Sequence, residues 1–192
     1  MIISINEMVD YCYELIKINR GIIDNLKEIN INGVHVEINE HVITILDCCD
    51  KIIKIPYGEY NVCEKEAQIL NVAIAQNLEQ WFAQVIGRKI TPLGNEYFLY
   101  EKTEKIDFGN IYLREDTAYE IQSDMMRATN SNALCDADAR LLMILFQEIG
   151  IHELKEIDEF LESNDITDME LQNWGYSKIN KRYVLTSYHH KV

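Results

Sequence analysis

The spacing of apolar residues predicts an amphipathic helix at the start of the chain. Ser4 and Glu7 have the spacing of a capping box, in which each side chain bonds a free backbone N–H of the first turn. Apolar residues then recur close to every 3.6 positions as far as Leu26, the period of a helix that buries one face. The pattern therefore predicts one long helix over residues 4–30, with Gly21 as the point at which it would bend.

Alternation of apolar and polar residues replaces this period over residues 34–38, directly after an Asn-Gly pair, and predicts a short strand. Residues 39–56 fit either a helix or a strand. Their apolar positions suit a helix that begins at Asn39 and ends before Pro56, because the residue before a proline avoids helical backbone angles. Residues 42–46 alone, VITIL, would form a good strand. The helix is the preferred interpretation.

The clearest helical pattern covers residues 61–87. Asn61 and Glu64 form a second capping box, six apolar residues mark one face, and a glycine lies where a helix commonly ends. We expect Ile74 and Trp81, both on that face, at the centre of the fold.

The rest of the chain combines a hairpin with capped helices. Aromatic and β-branched residues are concentrated in EYFLYE, residues 96–101, and NIYLRE, residues 110–115, which predicts an antiparallel hairpin. Further helices are predicted from Thr117 to Met126, over 136–150 with Asp136 as its cap, over 152–163, and after Thr167.

Length and composition indicate a globular chain. It has 192 residues, of which 47% are hydrophobic and 26% charged, and a chain of this size can bury a core without disulfides. Together with the pattern, this predicts an α+β fold: a mainly helical single domain over residues 1–192, with a small antiparallel β-sheet or hairpin and a C-terminal strand. Two lobes over 1–115 and 116–192 are the alternative.

The cysteines and the N-terminal sequence predict a cytoplasmic protein. Five cysteines are an odd number without CxxC spacing, which argues against a disulfide framework or a zinc site. The first residues lack the basic region of a signal peptide, and no run of 18 apolar residues predicts a membrane span. We therefore expect a reducing compartment, in which the cysteines are buried as small hydrophobic residues.

Charge is distributed unevenly within a net charge of −14. Residues 116–172 hold fourteen acidic and three basic residues, a net charge of −11, whereas residues 173–192 hold four basic residues and no acidic one. In HELKEIDEFLES, the helical period places Leu154, Ile157 and Leu161 in the core. The carboxylates expected in water are Glu153, Glu156, Asp158, Glu159 and Glu162. Like charges one turn apart repel, so helix stability does not favour this face.

This acidic face predicts a docking surface for a basic partner, against the alternative of a solvated surface that only maintains solubility. Ordered carboxylates can mimic the phosphates of a nucleic acid, and complementary charge accelerates association. In overall charge the chain is similar to small acidic inhibitor proteins of phages and bacteria. Tyr57 and Tyr60 would extend the surface, because tyrosine is common at interface hot spots. We predict a non-enzymatic inhibitor or adaptor that binds a basic protein.

The C-terminal segment 175–185 provides a DNA-binding alternative. Gly175 would be the turn glycine of a helix-turn-helix, with Lys178, Lys181 and Arg182 on its second helix. The motif usually has a small residue four positions before the glycine and an apolar residue six positions after it, where this chain has Leu171 and Lys181. The sequence RYVLTSY also favours a strand. Nucleic-acid binders commonly contact roughly six to ten phosphates, for which four cations are few. The segment is therefore expected to close the fold, and direct nucleic-acid binding is disfavoured.

Motifs with known chemistry are weak. His152 and Glu156 have a spacing that can chelate a metal, but no second histidine supports them. Asp136 and Asp138 are explained by helix capping. Cys63 begins a helix, where an exposed thiol would have a lowered pKa. We predict neither a metal nor a cofactor, and an enzyme whose site residues are scattered through the sequence is the third hypothesis.

Overall fold

The computed structural model describes residues 4–23, 28–39, 41–47, 49–57, 60–109, 112–129, 133–167 and 169–188. These residues form four α-helices, nine strands and three short 3-10 turns. The prediction of a mainly helical protein with a small sheet is wrong, because the strands build a six-stranded antiparallel sheet and a separate three-stranded sheet. The fold is a mixed α+β structure.

The elements follow in chain order. They are α1 Ile5–Ile23, β1 Glu28–Ile31, β2 Val34–Ile38, β3 Val42–Ile45, β4 Lys51–Pro56, α2 Val62–Ala75, β5 Val85–Ile90, β6 Glu96–Glu101, β7 Glu104–Lys105, α3 Glu115–Thr129, α4 Ala139–Ser163, β8 Trp174–Ser177 and β9 Arg182–Leu185. The 3-10 turns are Glu79–Trp81, Ala133–Asp136 and Leu171–Asn173. Within the described residues, no helix combines the length and apolar composition needed to cross a membrane.

Contacts divide the chain into two compact units. The first unit comprises Met1–Gln68 and Gln84–Lys102, and the second comprises Ile69–Ala83 and Thr103–Val192. Helix α2 begins in the first unit and ends in the second. Whether the chain is a single domain stays a prediction, and each unit is described by itself.

The sheet of the first unit has the order β1-β2-β3-β4-β6-β5, and every neighbouring pair is antiparallel. One face packs against α1, whose Met8, Val9 and Cys12 are buried there. The other face packs against the start of α2 through Val62 and Cys63. The core of this unit therefore has two layers, one on each side of the sheet.

Residues 42–45 are a strand, so the preference for a helix over 39–56 is wrong. All four residues of β3 are buried, because helices cover both faces of the sheet around it. A strand that is buried on both faces reads as a continuous apolar run and loses the period of two that identifies a strand. The sequence pattern alone could not distinguish the two structures.

Helix α1 begins as predicted and ends earlier than predicted. Ser4 and Glu7 form the capping box: the Ser4 N–H donates to Glu7 Oε2 at 2.8 Å, and the Glu7 N–H donates to Ser4 Oγ at 3.3 Å. The prediction that the helix reaches residue 30 is wrong, because β1 pairs with β2. Asn32 and Gly33, with φ of 53° and 87°, form the tight turn between these strands, and β2 confirms the predicted strand.

Helix α2 also begins as predicted, because Asn61 Oδ1 accepts the Glu64 N–H at 3.0 Å. It ends at Ala75, and the last residues of the predicted helix belong to β5. Trp81 is buried as expected, but Ile74 is 49% exposed. The predicted hairpin is also wrong. β6 pairs with β4 and β5; residues 112–114 form no strand, and residues 110–111 lie outside the described residues.

The second unit combines helices with the sheet β7-β8-β9. Strand β9 confirms the predicted C-terminal strand, whereas the helix predicted after Thr167 is wrong, because only a 3-10 turn forms there. Phe82 packs between aromatic neighbours, with ring centroids 5.5 Å from Phe160 and 4.9 Å from Tyr188. The Tyr188 hydroxyl donates to the Ala83 carbonyl at 2.9 Å and thereby ties the end of the described chain to this core.

Helix α4 is capped by Asp138 and not by Asp136 as predicted. Asp138 Oδ1 accepts the Arg140 backbone N–H at 2.9 Å, and its two oxygens also accept the Arg140 guanidinium at 2.9 and 2.6 Å. The hydrogen bond from Arg140, followed by smaller backbone and charge effects, lowers the pKa of the Asp138 carboxyl. Asp138 therefore has a structural role as the cap of α4.

Replacing Asp138 by alanine is expected to lower the free energy of unfolding by about 1 kcal/mol at neutral pH, because the cap is lost. The folded pKa lies below the ordinary value of 3.8, so the charge-dependent part of this stability is complete above pH 3.8 and is lost as the pH falls through the folded pKa. Urea unfolding at pH 7 and pH 3 should show the difference from wild type shrinking in acid. Glu120→Ala, at an exposed position, should show no such loss.

Candidate functional site

The four glutamates predicted to form the acidic face lie in the second half of α4 and are called the acidic row here. Gly150, with φ of 75° and ψ of 176°, interrupts the helical backbone of α4, so the two helices predicted before and after it are separated by a kink at this residue. Beyond it, Glu153, Glu156, Glu159 and Glu162 follow at three-residue spacing and are neighbours on successive turns. Three residues fall short of a full turn by about 60°, so the row winds around the helix and its two ends do not share a face.

Asp158 does not belong to the row. It is 1% exposed, and its Oδ1 accepts the Leu134 backbone N–H at 2.8 Å. The prediction that it lies in water is wrong, because Asp158 is one turn from both Leu154 and Leu161 on the buried side of the helix. The sequence spacing contained this information, but the charge of the side chain argued against burial.

The protein's own cations contact part of the row. Arg182 Nη1 lies 3.1 Å from Glu153 Oε1, and both side chains are about one-third exposed. Lys155 Nζ lies 3.6 Å from Glu159 Oε1 on the helix surface, where such pairs contribute little. Glu153 is therefore partly neutralised by Arg182, whereas Glu156, Glu159 and Glu162 are more exposed to solvent.

The two central carboxylates border a cleft of about 360 Å³ within the second unit. Its lining residues are Gln76, Leu78, Glu156, Glu159, Phe160, Ser163 and Asn164. Leu78 and Phe160 provide apolar surface, and the others provide carboxylate, amide and hydroxyl groups. The Asn164 side-chain amide already donates to the Phe160 carbonyl at 2.8 Å, which fixes one wall. The cleft thus combines two negative charges with a partly apolar lining.

The proposed helix-turn-helix is absent, because residues 174–177 and 182–185 are the two strands of a hairpin. Lys178 Nζ contacts Glu104 at 2.7 Å, and this hydrogen bond raises the pKa of the Lys178 ammonium group. Arg182 contacts Glu153 and stacks 4.8 Å from the Trp81 ring centre. Two of the three cations named for DNA binding therefore have partners within the protein, while Lys181 is an exposed turn residue with φ of 55°.

The tyrosines of the first unit do not form the expected exposed pair. Tyr57 is 8% exposed, and its hydroxyl donates to the Asn39 carbonyl, so the prediction of exposure is wrong for this residue. Tyr60 is half-buried, with its ring 5.9 Å from that of His41. Burial, together with the charge of Glu66, raises the pKa of the Tyr60 hydroxyl. The aromatic surface that the sequence suggested therefore loses one of its two named members.

A buried ion pair in the first unit was not anticipated. Lys54 Nζ contacts both carboxylate oxygens of Glu66, at 3.1 and 2.8 Å, and lies 4.3 Å from the Tyr100 ring centre. Lys54 is 8% exposed and Glu66 is fully buried. Alternation in β4 is the one sequence signal for the position of Lys54. It lies between Ile53 and Ile55, so its side chain is on the opposite face of the sheet from theirs.

Other candidate chemistry finds no support in the described part of the chain. No group of three or more His, Cys, Asp and Glu residues there could hold a metal. His152 forms an exposed contact with Glu156 at 3.5 Å. Cys63 is fully buried, and burial raises the pKa of its thiol to about 12, opposite to the lowering expected for an exposed helix start. A thiol with this pKa stays protonated near neutral pH and is a poor nucleophile.

No protein-family model matches the chain, and no curated protein sequence matches it. The geometry of the cleft and its charges is therefore the basis for a functional hypothesis.

Proposed function

We propose that this protein is a cytoplasmic inhibitor or adaptor that binds a basic partner protein at the cleft bordered by Glu156 and Glu159. The observation that carries the proposal is the placement of these two carboxylates on a cleft that also has apolar lining from Leu78 and Phe160. Of the acidic face expected from the sequence, Glu156 and Glu159 at the cleft are the residues proposed to bind the partner.

The chemistry of the cleft suits a lysine or arginine side chain. Such side chains place an aliphatic stem against apolar surface while the charged end stays near water or a counter-ion. Leu78 and Phe160 would contact the stem, and the carboxylates would accept charge-assisted hydrogen bonds from its end. Two carboxylates side by side favour a cation over a neutral or an acidic ligand.

The surrounding charge supports the same class of partner. Residues 116–172 carry a net charge of −11, which extends attraction for a basic surface beyond direct contact and accelerates encounter. Arg182 holds Glu153 at a partly buried position, whereas the contacts of Lys155 with Glu159 and of His152 with Glu156 are longer and exposed, so the partner's cation is assigned to the central carboxylates.

A direct test compares charge reversal inside and outside the cleft. Glu156→Lys with Glu159→Lys should weaken binding of a fluorescein-labelled octalysine peptide about tenfold or more at low salt, because attraction becomes repulsion. The matched control, Glu120→Lys with Asp124→Lys, makes the same change in net charge on exposed positions of α3. It should weaken binding less than about threefold, since only the long-range field changes. Fluorescence anisotropy measures both.

Capture from the native cytoplasm then identifies the partner. A basic protein retained by wild type and by the α3 control, but lost from the cleft variant, would support the proposal. Equal loss in both variants would show that net charge alone attracts cations, and retention by the cleft variant would exclude the cleft as the binding site.

A further inference from the structure

Strand β5 is an exposed edge of the first unit's sheet. It is the last strand in the order β1-β2-β3-β4-β6-β5, so its one neighbour among the described strands is β6. Ile86 and Ile90 on this strand are 48% and 64% exposed, and Leu93 in the following turn is 74% exposed. Arg88 and Lys89, with the bulge between Val85 and Gly87, limit unspecific pairing of this edge. The strand nevertheless exposes aliphatic side chains along its length, which indicates an interaction surface for a selected partner.

The register shows which backbone groups face outward. The Thr91 N–H donates to the Asn95 carbonyl at 2.8 Å, which makes these residues a hydrogen-bonded pair next to the strand pair Ile90 and Glu96. Hydrogen-bonded and non-hydrogen-bonded pairs alternate in antiparallel ladders. The N–H and C=O groups of Ile90, and of Arg88 two residues before it, are therefore directed away from β6. Four backbone groups are thus oriented to pair with an added strand.

We infer that β5 binds an extended, acidic segment of a partner protein, which adds to the sheet as a seventh strand. Arg88 and Lys89 are both exposed and lie in the middle of this edge, in a chain whose net charge is −14. Lys89 alternates with Ile90, so the two side chains lie on opposite faces of the sheet. A segment that alternates acidic and apolar residues would place its acids on the face of Lys89 and its apolar side chains on the face of Ile90, which Arg88 shares.

Charge distinguishes this occupant from a second copy of the chain. Antiparallel pairing of two β5 strands would bring Arg88 and Lys89 close to the same cations of the other copy, and like charges across strands are destabilising. Arg88 is partly neutralised by Glu96, to which its Nε donates, whereas Lys89 has no ion partner recorded among the described residues. An acidic segment would pair with the outward backbone groups of β5 and neutralise Lys89.

The test uses labelled acetyl-EVEVEVE-amide and, as a charge control, the neutral acetyl-TVTVTVT-amide, because a lysine peptide would be attracted to Glu156 and Glu159 at the cleft. Ile90→Pro removes one outward N–H, and Ile90→Thr keeps that N–H while losing the same isoleucine. The acidic peptide should bind wild type, and Ile90→Pro should weaken it about tenfold, against about threefold or less for Ile90→Thr. Lys89→Glu should weaken it more than Lys65→Glu, which makes the same charge change at an exposed position of α2.

A peptide with N-methyl groups on alternate residues checks the result without changing the protein, because it blocks added-strand hydrogen bonds. Its loss of affinity, together with shifts of the Arg88 and Ile90 amide resonances by the unmodified peptide, would support the inference. Equal binding of the methylated peptide, stronger binding of the threonine peptide, or no binding of the acidic peptide would overturn it. A protein dimer that Ile90→Pro abolishes would also overturn it, since the occupant would then be a second copy.

Discussion

Replacing Lys54 by methionine is expected to lower the free energy of unfolding by about 3–5 kcal/mol, the largest effect of any single substitution proposed for this protein. The ammonium group contacts both oxygens of Glu66, whose side chain is fully buried. Without Lys54, the carboxylate stays in the core of the first unit without its positive partner, and its desolvation is no longer offset. Urea unfolding monitored by circular dichroism measures the loss.

The double variant Lys54→Met with Glu66→Met is the matched control. It removes both charges and leaves apolar side chains of similar length, and such replacements are often neutral or stabilising. We therefore expect it to recover most of the stability that Lys54→Met loses. If the single variant were as stable as wild type, the carboxylate would be well solvated or protonated at little cost, and the pair would not be a determinant of stability.

Gly175→Ala is expected to destabilise the protein by about 1–3 kcal/mol, the usual cost of overpacking. A Cβ atom at this position would lie 2.5 Å from Thr103 Oγ1 and 2.7 Å from Thr103 Cβ, distances that require movement of the backbone or of the threonine. Thr186 Cγ2, at 3.1 Å, closes the same space. Gly175 therefore permits the close approach of neighbouring chain segments at β8 and is not the turn of a helix-turn-helix.

Gly87→Ala tests whether the effect comes from contact. Gly87 is also a strand glycine, but a Cβ atom there would meet nothing within 4 Å, so its replacement should change stability by less than about 0.5 kcal/mol. In a double-mutant cycle, Thr103→Gly should reduce the cost of Gly175→Ala, because the clashing atoms are gone. If the two substitutions had additive effects, contact with Thr103 would not be the cause of the stability lost in Gly175→Ala.

Local signals could be predicted from the sequence because they depend on residues a few positions apart. The caps formed by Ser4 with Glu7 and by Asn61 with Glu64 are of this kind, and so is the alternation of β2. Strand β3 could not be predicted, because burial on both faces removes its period. The predicted hairpin partner of β6 failed because strand propensity is overridden by context: residues 112–114 form no strand, and β6 pairs with β4 and β5.

The candidate sites show the same limit. Helical spacing placed Glu156 and Glu159 correctly at the helix surface, but the cleft also needs Leu78, far away in the sequence. Lys54 and Asp158 are charged residues in buried positions, and each is accommodated by a partner that only the fold brings close. Sequence periodicity can indicate which side of an element a residue occupies, but it cannot supply the group that compensates a buried charge.

The interleaved order of the two units constrains how the protein can be made. Because the first unit takes its segments from either side of Ile69–Ala83, no single cut releases either unit as one continuous fragment. During synthesis, β4 leaves the ribosome well before β6, its partner in the sheet, and the segment between them includes residues of the second unit. The central ladder therefore closes late, and a ribosome stalled before β6 would hold a nascent chain with an incomplete sheet.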